Sequence, residues 1–196
     1  MAIVSASHWY YFSKNMPLIL SHMATKVRTN EERFYLLSIL YEELGSNKVH
    51  DCHDDLFKEA INSTKLPVEL NLNREENVDE LIALISNANV GKLAFGLSLG
   101  LEIIANENIQ TLLNTIGYNK ATYSLLDQSL FFDIHKINED NHIKISVSNF
   151  LRFCRTDQDK KEFMDGFYLG INFWKNYWNK ISKEACQDLK SSSITA

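Results

Sequence analysis

Turn-forming residues are scarce in this chain: 7 glycines and 2 prolines among 196 residues. So few turn formers exclude an all-β plan of tight hairpins and favour long helices joined by short polar links. Cysteine is scarce too. Cys52, Cys154 and Cys186 are odd in number and lack paired spacing, which argues for a reducing compartment over a disulfide framework. Positive charge is in the minority, with a formal net charge of -5 and a pI near 5.7, so no broad basic surface offers itself to nucleic acid or anionic lipid. No apolar run reaches the ~20 residues of a membrane span; the best candidate, Leu93 to Ala105, is short and carries Glu102. The N-terminal Met-Ala-Ile-Val-Ser-Ala-Ser-His is too short and too lightly charged for a signal peptide. The expectation is a soluble, cytoplasmic chain with no membrane and no nucleic-acid partner.

What is present is hydrophobic content, 45% of the chain, enough for one domain with a full core. Residues 1–189 are expected to form that domain, and Lys190 to Ala196 a polar tail. Helical periodicity predicts segments at Ser7 to Lys26, with Pro17 inside, at Asp51 to Thr64, Val78 to Ala88, Val90 to Ile116, Ala121 to Ile145 and Asp157 to Leu189. Another starts at Thr29-Asn-Glu-Glu32, a capping box, and stops at Gly45. Its Phe34 to Tyr41 run is apolar on nearly every side, which predicts a central helix. Only Ile143 to Val147 alternates like a strand, and it is short. Gly96-x-x-x-Gly100 is a small-residue pair that lets another helix approach closely. The fold expected is all-α, a single domain of about seven helices.

His135, Glu139 and His142 stand at i, i+4 and i+7, within about 60° of one another around a helix. Two imidazoles and a carboxylate on one stripe suit iron, manganese or zinc; the same spacing also arises on a solvated surface helix. Asp133 and Asp140 fall on the opposite side. His50 and His53 form a second histidine group, beyond a helix ending in Glu42 and Glu43. Glu102 is a lone acid in an apolar stretch, where a buried carboxylate requires a cation, a hydrogen-bond partner or a shifted pKa. A position on the solvated edge of an amphipathic helix would serve it equally. Glu139-x-x-His142 also matches half of a ferritin-like di-iron motif, but no second copy exists in the chain.

Taken together, Leu40-Tyr-Glu-Glu-Leu-Gly45, His53-Asp-Asp-Leu-Phe57, Gly100-Leu-Glu102, Phe132-Asp-Ile-His135-Lys-Ile-Asn-Glu139-Asp-Asn-His142 and Gly166-Phe-Tyr-Leu-Gly170 resemble the haem-oxygenase-like di-iron oxidases and oxygenases, or iron-containing redox enzymes. The resemblance runs from about Asn30 to Ile181. It implies a haem-oxygenase-like helical bundle with Glu43, His53, Glu102, His135, Glu139 and His142 as metal ligands and Glu102 as the bridge. It also implies two Fe ions, with Mn an alternative, and O2 activation through a peroxo-di-iron intermediate on a small organic substrate of amine, amino-acid or fatty-acid-like type. A homodimer is compatible with it. Glu139 departs from the family, which usually has Asp there, and Glu42 competes with Glu43; His50 is expected to be outer-layer or surface. The first helix offers His8-Trp-Tyr-Tyr-Phe12 and the last Phe167, Trp174, Tyr177 and Trp178 as pocket or core. Some relatives use a tyrosine before the mid-chain Glu; Leu101 stands there. The alternatives are a metal-free, thiaminase-like enzyme, for which Cys52 and Cys154 are the conceivable nucleophiles, and a non-catalytic interaction protein.

Overall fold

Among the described residues there are nine α-helices and one 3-10 turn, and no strand. In this computed structural model the described residues are 1–70, 72, 74–87 and 91–194, without the side chains of 137–142 and 188–194. The helices are α1 (Ala2–Lys26), α2 (Asn30–Glu43), α3 (His53–Ser63), α4 (Glu76–Asn87), α5 (Gly91–Glu102), α6 (Ala105–Ile116), α7 (Lys120–Asp127), α8 (Leu130–Phe153) and α9 (Asp157–Ile194), with the 3-10 turn at Val49–Asp51 before α3. The expected class is found with more elements than expected, because two long segments break. The predicted ends at Ala88 and Val90 lie outside the described residues.

The first break divides the expected 90–116 helix after Glu102. Carbonyls in the last turn of a helix have no intrahelical partner. Here the Leu101 carbonyl accepts a hydrogen bond of 2.9 Å from Trp174 Nε1 on α9, so the chain can leave the helix while that group stays paired. The second break divides the expected 121–145 helix at Gln128 and Ser129. Asn119 caps α7 by accepting from the Thr122 N–H at 2.9 Å, and the Ser129 hydroxyl donates back to the Leu126 carbonyl at 2.7 Å. Such short polar side chains compete with helix continuation. The alternating stretch Ile143 to Val147 is helical, inside α8.

The capping box of α2 forms as its sequence requires: the Glu32 N–H donates to Thr29 Oγ1, and Glu32 Oε2 accepts from the Thr29 N–H. The central position expected of α2 is not found. The helix with the widest contacts is α1, which packs against α2, α3, α4, α5, α6 and α9. Helix α2 packs chiefly on α1, and Phe34, Leu37 and Tyr41 on its other side are exposed. Its apolar residues run round the whole helix, but one flank is exposed.

The tightest junction joins α5 to α9. A Cβ on Gly96 would fall on the Phe163 carbonyl, and one on Gly166 on the Leu93 carbonyl; a Cβ on Gly170 would lie 2.6 Å from the Gly100 carbonyl carbon. The Gly-x-x-x-Gly of α5 thus meets the Gly166-x-x-x-Gly170 of α9, backbone against backbone. Separately, α1 and α9 are pinned by a buried polar group. His8 Nε2 lies 2.7 Å from Glu184 Oε2 and His8 Nδ1 3.8 Å from Glu75 Oε1; Lys180 Nζ lies 3.4 Å from the same Glu75 oxygen. Glu75 is fully buried and accepts from the Val78 N–H at 2.8 Å and from the Asn77 amide at 3.0 Å.

Two predictions come from these contacts. Gly96→Ala places a methyl group against unyielding backbone and should lower stability by at least the ~1–3 kcal/mol of an overpacked core, read from denaturant midpoints. For Glu75, burial raises a carboxylate's pKa, but the His8 imidazole, the Val78 N–H, the Asn77 amide and Lys180 outweigh it and hold the group at about 2. A depressed carboxylate stabilises the fold fully above its unfolded value of 4.5 and ceases to do so as pH falls through about 2. Glu75→Gln should therefore melt lower at neutral pH and show a flatter stability profile between pH 4.5 and about 2.

Candidate metal and substrate site

Four helices each bring one donor residue to a single cavity: Glu43 at the end of α2, His53 at the start of α3, Glu102 at the end of α5 and His135 in the second turn of α8. Trp9, Phe12, Ser13, Met16, Leu101, Ala105, Ile109, Phe131 and Trp174 complete the wall. The space open to water is about 50 Å3, room for a few ions or waters at ~10–15 Å3 each.

Local structure aims the two imidazoles. His135 Nδ1 lies 2.7 Å from the Phe131 carbonyl one turn back. A carbonyl only accepts, so Nδ1 carries the proton and the Nε2 lone pair is left as the donor. The surrounding protein withholds water from this ring, and His53, its centroid 4.8 Å away, adds to the effect. Against the Phe131 carbonyl, Glu43 and Glu102, these lower the His135 pKa to about 4, so the imidazole is neutral at physiological pH. His53 Nδ1 lies 3.0 Å from Glu43 Oε2. Carboxylate and imidazole lie against each other there at ion-pair distance, without the geometry of a hydrogen bond.

Glu102 is 7% exposed and sits on the last turn of α5, where the helix dipole disfavours negative charge. Among the described lining residues there is no Lys or Arg, and the neighbouring 137–142 stretch, Ile-Asn-Glu-Asp-Asn-His, contains none either. Two carboxylates and two imidazoles, held among aromatic rings with no basic side chain, are the donor chemistry of a transition-metal site. That set fits iron. Among the described residues no three His, Cys, Asp or Glu side chains converge closely enough to enclose an ion. The other two expected donors, Glu139 and His142, lie on the next turns of α8, and their side chains are outside the described residues.

The remaining sequence candidates fall elsewhere. Glu42 lines a separate outer cleft with Gly45, Lys48 and Asp51, which reaches the other side of His53. His50 is exposed and borders a surface hollow with Asp55, Lys58 and Glu59. Asp133 is exposed and lies 3.5 Å from Lys136. Of the aromatic stripes, Trp9, Phe12 and Trp174 face the cavity, the two indoles stacked with centroids 5.6 Å apart. Tyr177 is core, its hydroxyl buried. Sequence reasoning missed Ser13, Met16, Ala105 and Ile109. Pro17 was a signal for the first: it has no N–H, so the Ser13 carbonyl one turn earlier has no helix donor beside the cavity.

A family model described as an iron-containing redox enzyme matches residues 5–175. The chain belongs to this family. Among solved structures, this iron-containing redox enzyme family member is similar to a CADD-like protein of unknown function from Nostoc punctiforme. The likeness has a TM-score of 0.73 and 16% identity over 94% of this chain and 84% of the other, and it speaks to fold alone. No curated protein matches the sequence significantly.

Neither candidate nucleophile faces the cavity. Cys154 is buried, which pushes its thiol up to about 11; burial, then Asp54 and Asp55, push Cys52 up as well. Thiols in this state are weak nucleophiles at neutral pH. Titration of the folded protein with a disulfide reagent at pH 7 should modify the exposed Cys186 first, Cys52 slowly, and Cys154 only on unfolding.

Proposed function

We propose that this chain is a non-haem di-iron oxidase or oxygenase that uses O2 on a small organic substrate of amine, amino-acid or fatty-acid-like type. The observation that supports this reading is that Glu43, His53, Glu102 and His135, from four helices, all line one aromatic-walled cavity. Glu139 and His142, from the same helix as His135, would complete the set of residues that hold the iron. Bound iron would supply the one-electron steps that allow O2 to react with a closed-shell organic molecule.

The protein's part is arrangement. His135 presents Nε2 because the Phe131 carbonyl holds the proton on Nδ1, and its low pKa keeps it a ligand across the physiological range. Glu43 places a carboxylate oxygen 3.0 Å from His53 Nδ1, so an acid and an imidazole stand side by side where an ion would bind. Trp9, Phe12, Phe131 and Trp174 give an organic substrate an apolar wall; among the described lining residues Ser13 is the one neutral hydroxyl. The cysteine-dependent alternative has less support, since both candidate thiols lie away from the cavity with raised pKa values.

Anaerobic titration with Fe(II) should reach about two ions per chain, with O2 uptake on exposure to air. His135→Ala and Glu102→Ala should each weaken loading by more than the ~10–100-fold typical of residues that only support ligands, with helical circular dichroism retained. A folded wild-type chain that takes up no iron would end the di-iron reading; normal loading by both variants would end the ligand assignment.

A further inference from the structure

We infer that Trp174, Trp9 and Trp178 form an electron relay between the cavity and the protein surface, through which a soluble one-electron reductant quenches an oxidant left in the cavity without substrate. The relay rests on the iron reading of the cavity for that oxidant. The chain has three tryptophans in all, and every one belongs to this line. Trp174 and Trp178 stand one turn apart on the same face of α9, and Trp9 of α1 bridges them. Its ring stacks on Trp174 with centroids 5.6 Å apart and planes at 16°, and lies 6.3 Å and 31° from Trp178. Burial falls along the line: Trp174 and Trp9 wall the cavity at 3% and 4% exposure, while Trp178 is half-buried and reaches solvent.

The surroundings keep the charge on the indoles. Trp174 Nε1 donates to the Leu101 carbonyl, next to Glu102, and Trp178 Nε1 donates to Asn108 Oδ1 at 2.7 Å. Both acceptors are neutral, so each ring gives up an electron and keeps its proton while the charge passes on. The benzene rings of Phe12 and Phe173, packed on Trp174, resist oxidation. Tyr177 stands edge-on to Trp9, Trp174 and Trp178, with centroids 6.4, 5.6 and 5.6 Å away. A phenol yields an electron readily only as its proton leaves. The Tyr177 hydroxyl is buried with no hydrogen-bond partner among the described residues, and burial raises its pKa well above the usual 10. It has nowhere to send that proton, and the charge stays with the tryptophans.

The cavity wall supplies the need for such a path. Met16 lines it beside Trp9 and Trp174, and a thioether takes up oxygen readily. An O2-derived oxidant that meets no substrate therefore has its own site as target. Through the relay it withdraws one electron from Trp174, which draws one from Trp9, which draws one from Trp178. Ascorbate, a soluble one-electron reductant, refills Trp178. Each hop moves one electron and breaks no bond. Ascorbate is oxidised by one electron and releases one proton to solvent, and the cavity oxidant is reduced by one electron.

The test takes the full chain, loaded with Fe(II) without air, freed of unbound iron and its iron content measured, then exposed to O2 with ascorbate and no organic substrate. Peptide mass mapping reads oxygen added to Met16, Trp9 and Trp174, and electron paramagnetic resonance reads the ascorbyl radical. The wild type should give the ascorbyl radical and keep the three cavity residues unmodified. Trp178→Phe should take up iron as the wild type does, lose the ascorbyl signal and accumulate oxidised Met16, Trp9 and Trp174. Trp178→Tyr should restore both signal and protection. Phe and Tyr fill the position alike, so the difference between them reports electron transfer and not packing. Equal protection or equal damage in wild type and Trp178→Phe, at equal iron content, would overturn the relay and leave the iron reading standing. A chain that takes up no iron would overturn both.

Discussion

The rest of the structure depends on the contact between the α5 and α9 backbones. With no side chains between them at Gly96, Gly100, Gly166 and Gly170, the two helices lie at the shortest separation packing allows. That separation brings Trp174 within hydrogen-bonding distance of the Leu101 carbonyl, where α5 ends, and so fixes Glu102 at a helix terminus facing inward. The same Trp174 stacks on Trp9 of α1, closing the cavity from the opposite side. A wider α5–α9 spacing would move the indole off its acceptor and open the aromatic wall to solvent.

Around that frame the chain places groups that an apolar interior ordinarily rejects. Glu102 is buried at the unfavourable end of a helix dipole, and Glu43 shares its charge with one imidazole. At the other end of the α1–α9 junction, Glu75 is equally buried but differently served: a backbone N–H, an amide, a lysine and a histidine surround it. The contrast separates two uses of a buried carboxylate. Glu75 is bound up with the packing of α1 and α9 and acts as a clasp, whereas Glu102 and Glu43 line a cavity.

Much of this was legible in the sequence because its signals are local. Thr29 and Glu32 announce a helix start by chemistry complete within four residues, and Gly96 with Gly100 announces a close helix approach whoever the partner is. His53, Glu102 and His135, separated by scores of residues, could be grouped only through a family pattern, since nothing local shows that α3, α5 and α8 meet. The break after Glu102 was missed for a related reason: Trp174, which satisfies the Leu101 carbonyl, lies 73 residues away. The misplacement of α2 has another origin. Apolar residues on every side signal burial locally, but which of them are covered is decided by α1, a neighbour that the sequence of α2 does not show.

The turn at Gly45 shows what such a framework leaves open to descent. Its φ of +78° and a Cβ position overlapping the Lys48 carbonyl leave no side chain that fits without refolding the link from Glu43 to His53. A lineage derived from this chain could exchange surface charges, or trade one cavity hydrophobe for another of similar volume, in small reversible steps. At position 45 there is no graded path: a replacement displaces two donor residues together, so this glycine and the site would be lost from the lineage at once.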